Sequence, residues 1–322
     1  MSEQQNQGHA IIVLPATGRP GSLSTADRRW LSRGQVDSVP PANLLQSLLP
    51  ELGLDMPDTG LAALRLWGQT DVRPDGWVAA ADPVILEAML SHVILHAPSD
   101  LEVTEAEFAA VCDLLQRQIA GHHAIEIVRN GRYGYIRSER PMLAASQSPG
   151  EVDGQPLAPP GSSDAEDAAY HRLMTEMQMF LHDHEINRRR EQAGKRPLNS
   201  LWIWGGGVAP EPQYVSLPPL YADDPVAAGF WRSRNAEVRP WTGDFEHMLA
   251  TSGPVFAAIA AGDDDDAALP AALTQLRQLF ESGKLNRMTL LFRDGLRVEV
   301  RRRYRFRFWR GISRHFTEFD HR

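Results

Sequence analysis

A chain of 322 residues, 43% hydrophobic and 23% charged, sits in the ordinary globular range and is long enough for about two domains with a sizeable core. A formal net charge of -8 argues against a protein that coats nucleic acid over its whole surface, while leaving room for a local basic patch. Cys112 is the only cysteine, which excludes an internal disulfide and a four-cysteine zinc site.

The N-terminus, MSEQQNQGHAIIVLPATGRPG, lacks the basic segment of a signal peptide, and no stretch reaches the roughly 18 apolar residues of a membrane span. The expectation is a soluble cytoplasmic protein without a membrane partner. The run AIIVL, residues 10–14, reads as a buried strand stopped by Pro15 to Gly18. A short helix is expected around 43–49, a strand over Trp77 to Ala80 ending at Asp82-Pro83, and another strand over Val93 to His96. Thr104 and Glu107 form a capping box, and Phe108, Val111, Leu114, Leu115 and Ile119 then repeat at helical spacing, so a helix is expected over 104–120. Cys112 on that helix reads as a core thiol, since no basic group is evidently placed to activate it. Asn130-Gly131 between two strand-like runs predicts a hairpin near 124–137.

The stretch 146–167, rich in Pro, Gly, Ser and acids, reads as a linker or mobile loop between an N-terminal α/β part, 1–145, and a C-terminal α/β part, 168–322. A stripe of Tyr170, Leu173, Met174, Met177, Phe180 and Leu181 predicts a helix running on through Asn187 and Arg190 to a stop at Gly194. A strand over Ser200 to Trp204 then enters Gly205-Gly206-Gly207, followed by a Pro-punctuated irregular stretch to about Pro225. Asp263 to Asp266 read as a solvated loop. Near the C-terminus, Asp294-Gly295 marks a second hairpin, near 288–309. Val298, Val300, Tyr304, Phe306 and Phe308 fall on one face, and Arg297, Arg301, Arg303, Arg305 and Arg307 on the other. That arginine stripe is either a phosphate or nucleic-acid surface, or a charged face that blunts an edge strand and pairs with nearby acids. The fold class expected is α/β, a mixed sheet flanked by helices, with these two hairpins.

The chemistry-bearing stretch is HDHEINRRREQAGKRPLNSLWIWGGG, His182 to Gly207. His182 and His184 alternate, which is a poor spacing for two ligands of one metal on a helix. The glycine run brings backbone N–H groups near one sheet edge, yet GGGVAP lacks the residues of a phosphate or dinucleotide loop. If a pocket exists, it is expected between the helix end and the glycine turn. There Asn187, Arg190 and Asn199 would contact oxyanions, Gly205, Gly206 and Gly207 would supply backbone donors, and His184 would have a secondary role. The bland alternative is that the motif locks helix to strand.

The succession His184, Asn187, Arg190, Gly194 and Asn199-Ser200-Leu201-Trp202-Ile203-Trp204-Gly205-Gly206-Gly207 resembles the H-x-x-N-x-x-R…G…N-S-L-W-x-W-G-G-G signature of a bacterial family of cofactor-independent phosphoglycerate-mutase-like proteins, the RpfE-type regulatory proteins. WVAAADPV, GRYGYIR and RVEVRRRYRFRFWR are similar to further landmarks of that family, so the resemblance spans about Trp77 to Arg310. Archaeal-type phosphoglycerate mutases, of the alkaline phosphatase superfamily, carry a related segment. That kinship implies two divalent metals on Asp and His ligands around a Ser or Thr nucleophile, with the first Asp directly after the first strand. Here Pro15 and Ala16 follow the first strand, Asp27 and Asp37 are the only aspartates of the first fifty residues, and Asp183-His184, Asp320-His321 and His92 with His96 lie outside the family's metal-ligand context.

The resemblance therefore implies a regulatory-type protein with no catalytic residue, metal or other cofactor, binding a small phosphorylated ligand or a protein partner. The alternatives are an active Mn- or Zn-dependent mutase or phosphatase, and a nucleic-acid binder acting through the C-terminal arginine face.

Overall fold

In the computed structural model, which describes residues 8–17, 23–39, 43–98, 101–157, 165–252, 255–259, 268–307 and 309–316, the apolar run at the start forms β1 (His9–Leu14). Then come α1 (Thr25–Ser32), N-capped by Ser24, β2 (Gln35–Ser38) and α2 (Leu44–Leu48), N-capped by Asn43. Next follow α3 (Leu61–Thr70), β3 (Trp77–Ala88), β4 (Val93–His96) and α4 (Glu105–Leu115), which starts at the Thr104–Glu107 capping box. A π turn over 116–120 leads through the single turn α5 (Gly121–His123) to the hairpin β5 (Ile125–Asn130) and β6 (Tyr133–Ser138). The chain continues with β7 (Pro156–Leu157), α6 (Ala165–His182), α7 (Glu185–Gln192) and β8 (Ser200–Val208). It ends with β9 (Leu220–Tyr221), α8 (Pro225–Ser233), β10 (Val238–Arg239), α9 (Phe245–Ser252), β11 (Val255–Ile259), α10 (Ala268–Glu281), β12 (Arg287–Phe292) and β13 (Leu296–Arg301).

Two units result: Met1–Met56 with Pro212–Arg322, and the inserted Pro57–Glu211. The first unit holds a mixed sheet of order β10-β9-β11-β1-β12-β13-β2 among the described residues. β1 is parallel to both β11 and β12, and a central parallel strand is covered on both faces, which is why its apolar residues run without alternation. Phe245 and Met248 of α9, Phe256 of β11 and Leu273 and Leu276 of α10 complete that core. The hairpin β12–β13 turns at Asp294-Gly295, where Gly295 takes φ 84°.

The inserted unit is built on an antiparallel sheet in which β3 pairs with β6, β8 and β4. Ala79 and Ala81 of β3 and Leu201 and Ile203 of β8 form one core with Phe108, Val111 and Leu115 of α4 and Leu173, Met177 and Leu181 of α6. Cys112 is buried in the same core, and burial pushes its thiol up to about 12, so it is a packing residue as expected.

Several expectations are corrected. The chain does not divide at 146–167. β1 and β2 pair with C-terminal strands, so the first 56 residues belong with Pro212–Arg322. Part of the 146–167 stretch is ordered as β7 against β4, while 158–164 lies outside the described residues. β3 does not stop at Asp82-Pro83 but runs to Ala88. Pro83 is tolerated because β6 pairing has ended at Ala80 and β4 pairing begins only at Ile85. The helix over 170–192 is broken at Asp183-His184, where His184 caps a new helix. The three glycines are inside β8 and not in a turn beyond it.

The arginine stripe also ends early: after Arg301 the chain enters a 3-10 turn over 302–306. Arg297 is bound by Glu51 and Asp37 and Arg301 by Glu299, so the acid-paired reading fits the described part of that face, whereas the edge-blunting reading does not, because β13 is flanked by β12 and β2. Asp263 to Asp266, Phe308, Asp320 and His321 lie outside the described residues.

At the start of β1, burial first, then the Arg287 guanidinium, pushes the His9 imidazole down from 6.5 to about 4. As pH falls through that window the unfolded chain takes up a proton that the folded one refuses, so stability present above 6.5 is lost toward 4. Urea unfolding of the first unit followed from about pH 7 to about pH 4 should show this loss, and His9→Gln should make the slope shallower. An unchanged slope in the variant would contradict it.

Candidate functional site

The break between α6 and α7 creates the framework of the motif. His184 leaves helical geometry, and its Nδ1 accepts from the Ile186 N–H at 3.3 Å, capping α7. Asn187 then points inward and is 2% exposed. Its Nδ2 donates to Leu181 O and Leu198 O, both at 2.7 Å, and its Oδ1 accepts from Leu198 N at 2.8 Å. One amide thereby ties the end of α6 to the approach of β8.

Arg190 is 1% exposed and fans its three nitrogens to Arg196 O at 2.9 Å, Glu107 Oε1 at 3.0 Å and Leu101 O at 2.6 Å. Burial alone would raise the Glu107 pKa. Hydrogen bonds from Thr104 and Arg190 outweigh it and hold the carboxyl below its ordinary value. Gly194, at φ 73°, ends the turn after α7. Asn199 imitates a strand residue, accepting from Leu86 N and donating to Leu86 O, both at 2.8 Å. It thus extends the β8–β3 pairing beyond Val84–Ser200.

The glycines answer to close packing. A Cβ on Gly206 would lie 2.5 Å from the Trp77 ring, and one on Gly207 would lie 2.4 Å from Gly60 N at the head of α3. The Gly205 N–H is already given to Ala145 O at 2.7 Å. Sequence-predicted ligand groups therefore fall into two sets: Asn187, Arg190 and Asn199 bonded to backbone around α4, α7 and β3, and the glycines packed against α3 and Trp77. The side chains of the first set and the Gly205 N–H are hydrogen-bonded within the chain. His182, the last residue of α6, is exposed and joins neither set.

The strongest polar feature is one that the motif did not announce. Arg65 of α3, 3% exposed, forks onto Asp82 of β3, 7% exposed, at 3.0 and 2.8 Å, and sends its other terminal nitrogen to Gly134 O at 2.8 Å. Trp204 Nε1 donates to the same carboxylate at 2.6 Å. The rings of Tyr133, Tyr135 and Trp204 lie 5.0, 4.7 and 5.2 Å from the guanidinium carbon. Burial would lower the Arg65 pKa, and the Asp82 carboxylate outweighs it and raises it above the ordinary value. The available signal was a lone Arg in the apolar helix LAALRLWG and a lone Asp in the apolar strand WVAAADPV. Two opposite charges in two buried segments call for one another.

In the first unit, β1 leaves the sheet through Pro15, Ala16 and Thr17. The Thr17 N–H and hydroxyl both donate to Asp294 Oδ2, at 2.7 and 2.6 Å, joining the exit of β1 to the β12–β13 turn. The other oxygen of Asp294 is buried without a hydrogen-bond partner. Among the described residues, no group of three or more His, Cys, Asp or Glu side chains is placed to hold a metal ion.

Over 222 residues the chain is 32% identical to the 2,3-bisphosphoglycerate-independent phosphoglycerate mutase of Methanosarcina mazei, a match covering 66% of this chain and 53% of that protein. Over 65 residues it is 38% identical to 2,3-bisphosphoglycerate-independent phosphoglycerate mutase 2 of Methanothermobacter thermautotrophicus, covering 20% of this chain and 16% of that one. The chain thus spans about half the length, or less, of these curated relatives. Among solved structures, the PH0037 protein from Pyrococcus horikoshii shares the fold, with a TM-score of 0.53 at 15% identity, covering 92% of this chain and 88% of that one. No family model matches. The chain is an α/β protein similar in sequence, over part of its length, to cofactor-independent phosphoglycerate mutases.

The buried pair gives a sharp expectation. Asp82→Leu should cost the inserted unit about 3–5 kcal/mol by stranding Arg65, whereas Arg65→Met with Asp82→Leu should recover most of that loss. Guanidinium unfolding followed by tryptophan fluorescence measures both, and a loss below about 1 kcal/mol for the single variant would contradict the assignment.

Proposed function

We propose that this chain is a phosphoglycerate-mutase-like protein of regulatory type, which binds a small phosphorylated ligand or a protein partner without turning it over. The observation that carries this reading is the exit of β1. The resemblance leads one to expect a metal-binding Asp there, and the chain instead has Pro15-Ala16-Thr17, with Thr17 engaged on Asp294.

Among the described residues, the donor set at the exits of β1 and β12 does not fit a binuclear centre. The turn there brings the Asp294 carboxylate, one oxygen of which already accepts two hydrogen bonds from Thr17. In α/β sheets, ligands settle outside the carboxyl ends of parallel strands, and here those ends include the exits of β1 and β12. A phosphorylated ligand at that place would meet the Thr17 segment and Arg293, which precedes Asp294 in the turn and supplies positive charge.

The sequence similarity to phosphoglycerate mutases favours a second reading, an active Mn- or Zn-dependent enzyme. The purified full chain, dialysed against Mn and Zn and assayed with 3-phosphoglycerate, separates the two. The proposal predicts no turnover, no stoichiometric metal, and a thermal midpoint that rises with 3-phosphoglycerate concentration. About two equivalents of metal together with formation of 2-phosphoglycerate would overturn it.

A further inference from the structure

The inserted unit contains a cavity of about 540 Å³ between β3, β4, β8 and α6, closed on one side by residues 143–152. Its walls are chiefly apolar, formed by Leu86, Val93, Leu143, Val152, Met174 and the Trp202 ring. That ring is fixed by its own hydrogen bond, from Nε1 to Gln147 O at 2.9 Å. No Asp, Glu, Lys or Arg is among the described lining residues, and His171 is the one titratable imidazole there, so an ion entering would leave water without a fixed opposite charge.

One polar group stands out in this setting. Tyr170 lines the cavity and is 9% exposed, and its hydroxyl has no hydrogen-bond partner among the described residues. Its ring meets His171 edge-on, at 6.1 Å between centroids. Desolvation pushes the phenol up to about 12, which keeps the proton on the oxygen as a donor. The neighbouring Thr175 hydroxyl is spent on His171 O at 2.8 Å. A hydroxyl at a cavity wall with no protein acceptor is satisfied by water or by a ligand. A chiefly apolar cavity of this size, with a few polar side chains such as Tyr170, His171 and Gln178 on its walls, has the make-up of a small-molecule pocket.

We infer that this cavity binds a small, uncharged, mainly apolar molecule carrying one hydrogen-bond acceptor, such as a carbonyl oxygen, which takes the hydrogen bond of the Tyr170 hydroxyl. The site stands apart from the proposed phosphorylated ligand, whose charge this cavity would not compensate.

The full chain can be titrated with the neutral fluorophore N-phenyl-1-naphthylamine, reading energy transfer from tryptophan. The bound probe is then displaced with benzophenone, which has a carbonyl acceptor, or with diphenylmethane, which has none. The inference predicts saturable binding of one probe per chain and displacement about fivefold to tenfold more effective with the ketone. Tyr170→Phe should keep probe binding and bring that ratio close to one. Met174→Trp and Val152→Phe, which fill the cavity from two sides, should each abolish probe binding in protein whose thermal unfolding remains cooperative. Absence of saturable binding by the natural chain, a displacement ratio indifferent to Tyr170→Phe, or displacement by 3-phosphoglycerate would each overturn it.

Discussion

The inserted unit is organised around a charge that cannot be left alone. Arg65 and Asp82 are both buried, and neither could stay there without the other, because removing a guanidinium or a carboxylate from water costs several kcal/mol. Their pairing fixes α3 against β3, and the remaining bonds of the pair recruit Gly134 of β6 and Trp204 of β8. A single ionic contact therefore sets the register of a helix against three strands. The small residues around it follow from that closeness: Ala79, Ala80 and Ala81 are fully buried, and a Cβ on Gly134 would lie 2.3 Å from Ala81 O.

The motif around Asn187 and Asn199 continues the same logic with neutral groups. Each asparagine replaces backbone partners that the chain does not supply, at the break between α6 and α7 and where β8 gives way beside β3. Polar side chains in a buried setting are costly unless satisfied, and here each bond joins two elements. This is the locking role that the residue pattern allowed as one of its two readings. It moves the question of ligand chemistry to the carboxyl edge of the other unit's sheet and to the cavity beside Tyr170.

Much of the fold was legible because its signals are local. The apolar run of β1, the Thr104–Glu107 box and the Asn130-Gly131 turn each state their structure within a few residues. What stayed hidden depends on partners far along the chain. Pro83 looks like a strand terminator until one sees that it falls in the gap between two partner strands. The three glycines look like a loop until Gly60 and Trp77 are found against them. The division of the chain was illegible for the same reason, since nothing near residues 9–14 tells that β1 pairs with strands beyond residue 250. The arginine alternation overshot because a strand-like pattern continues past Arg301, where the backbone turns. At the candidate site, Asn187, Arg190 and Asn199 were singled out as oxyanion contacts, and the structure shows each of them bonded to backbone of the chain itself, partners that no local pattern names.

The most direct measurement of this account is hydrogen exchange and chemical shift at the side-chain amides of Asn187 and Asn199 and the Trp204 indole N–H, recorded by NMR with and without 3-phosphoglycerate. The account predicts four slowly exchanging proton signals, two from Asn187 and one each from Asn199 and Trp204, whose positions do not move when the ligand is added, because these protons are held by Leu181, Leu198, Leu86 and Asp82. Fast exchange in the absence of ligand, or shifts of the asparagine amides that saturate with 3-phosphoglycerate, would contradict it.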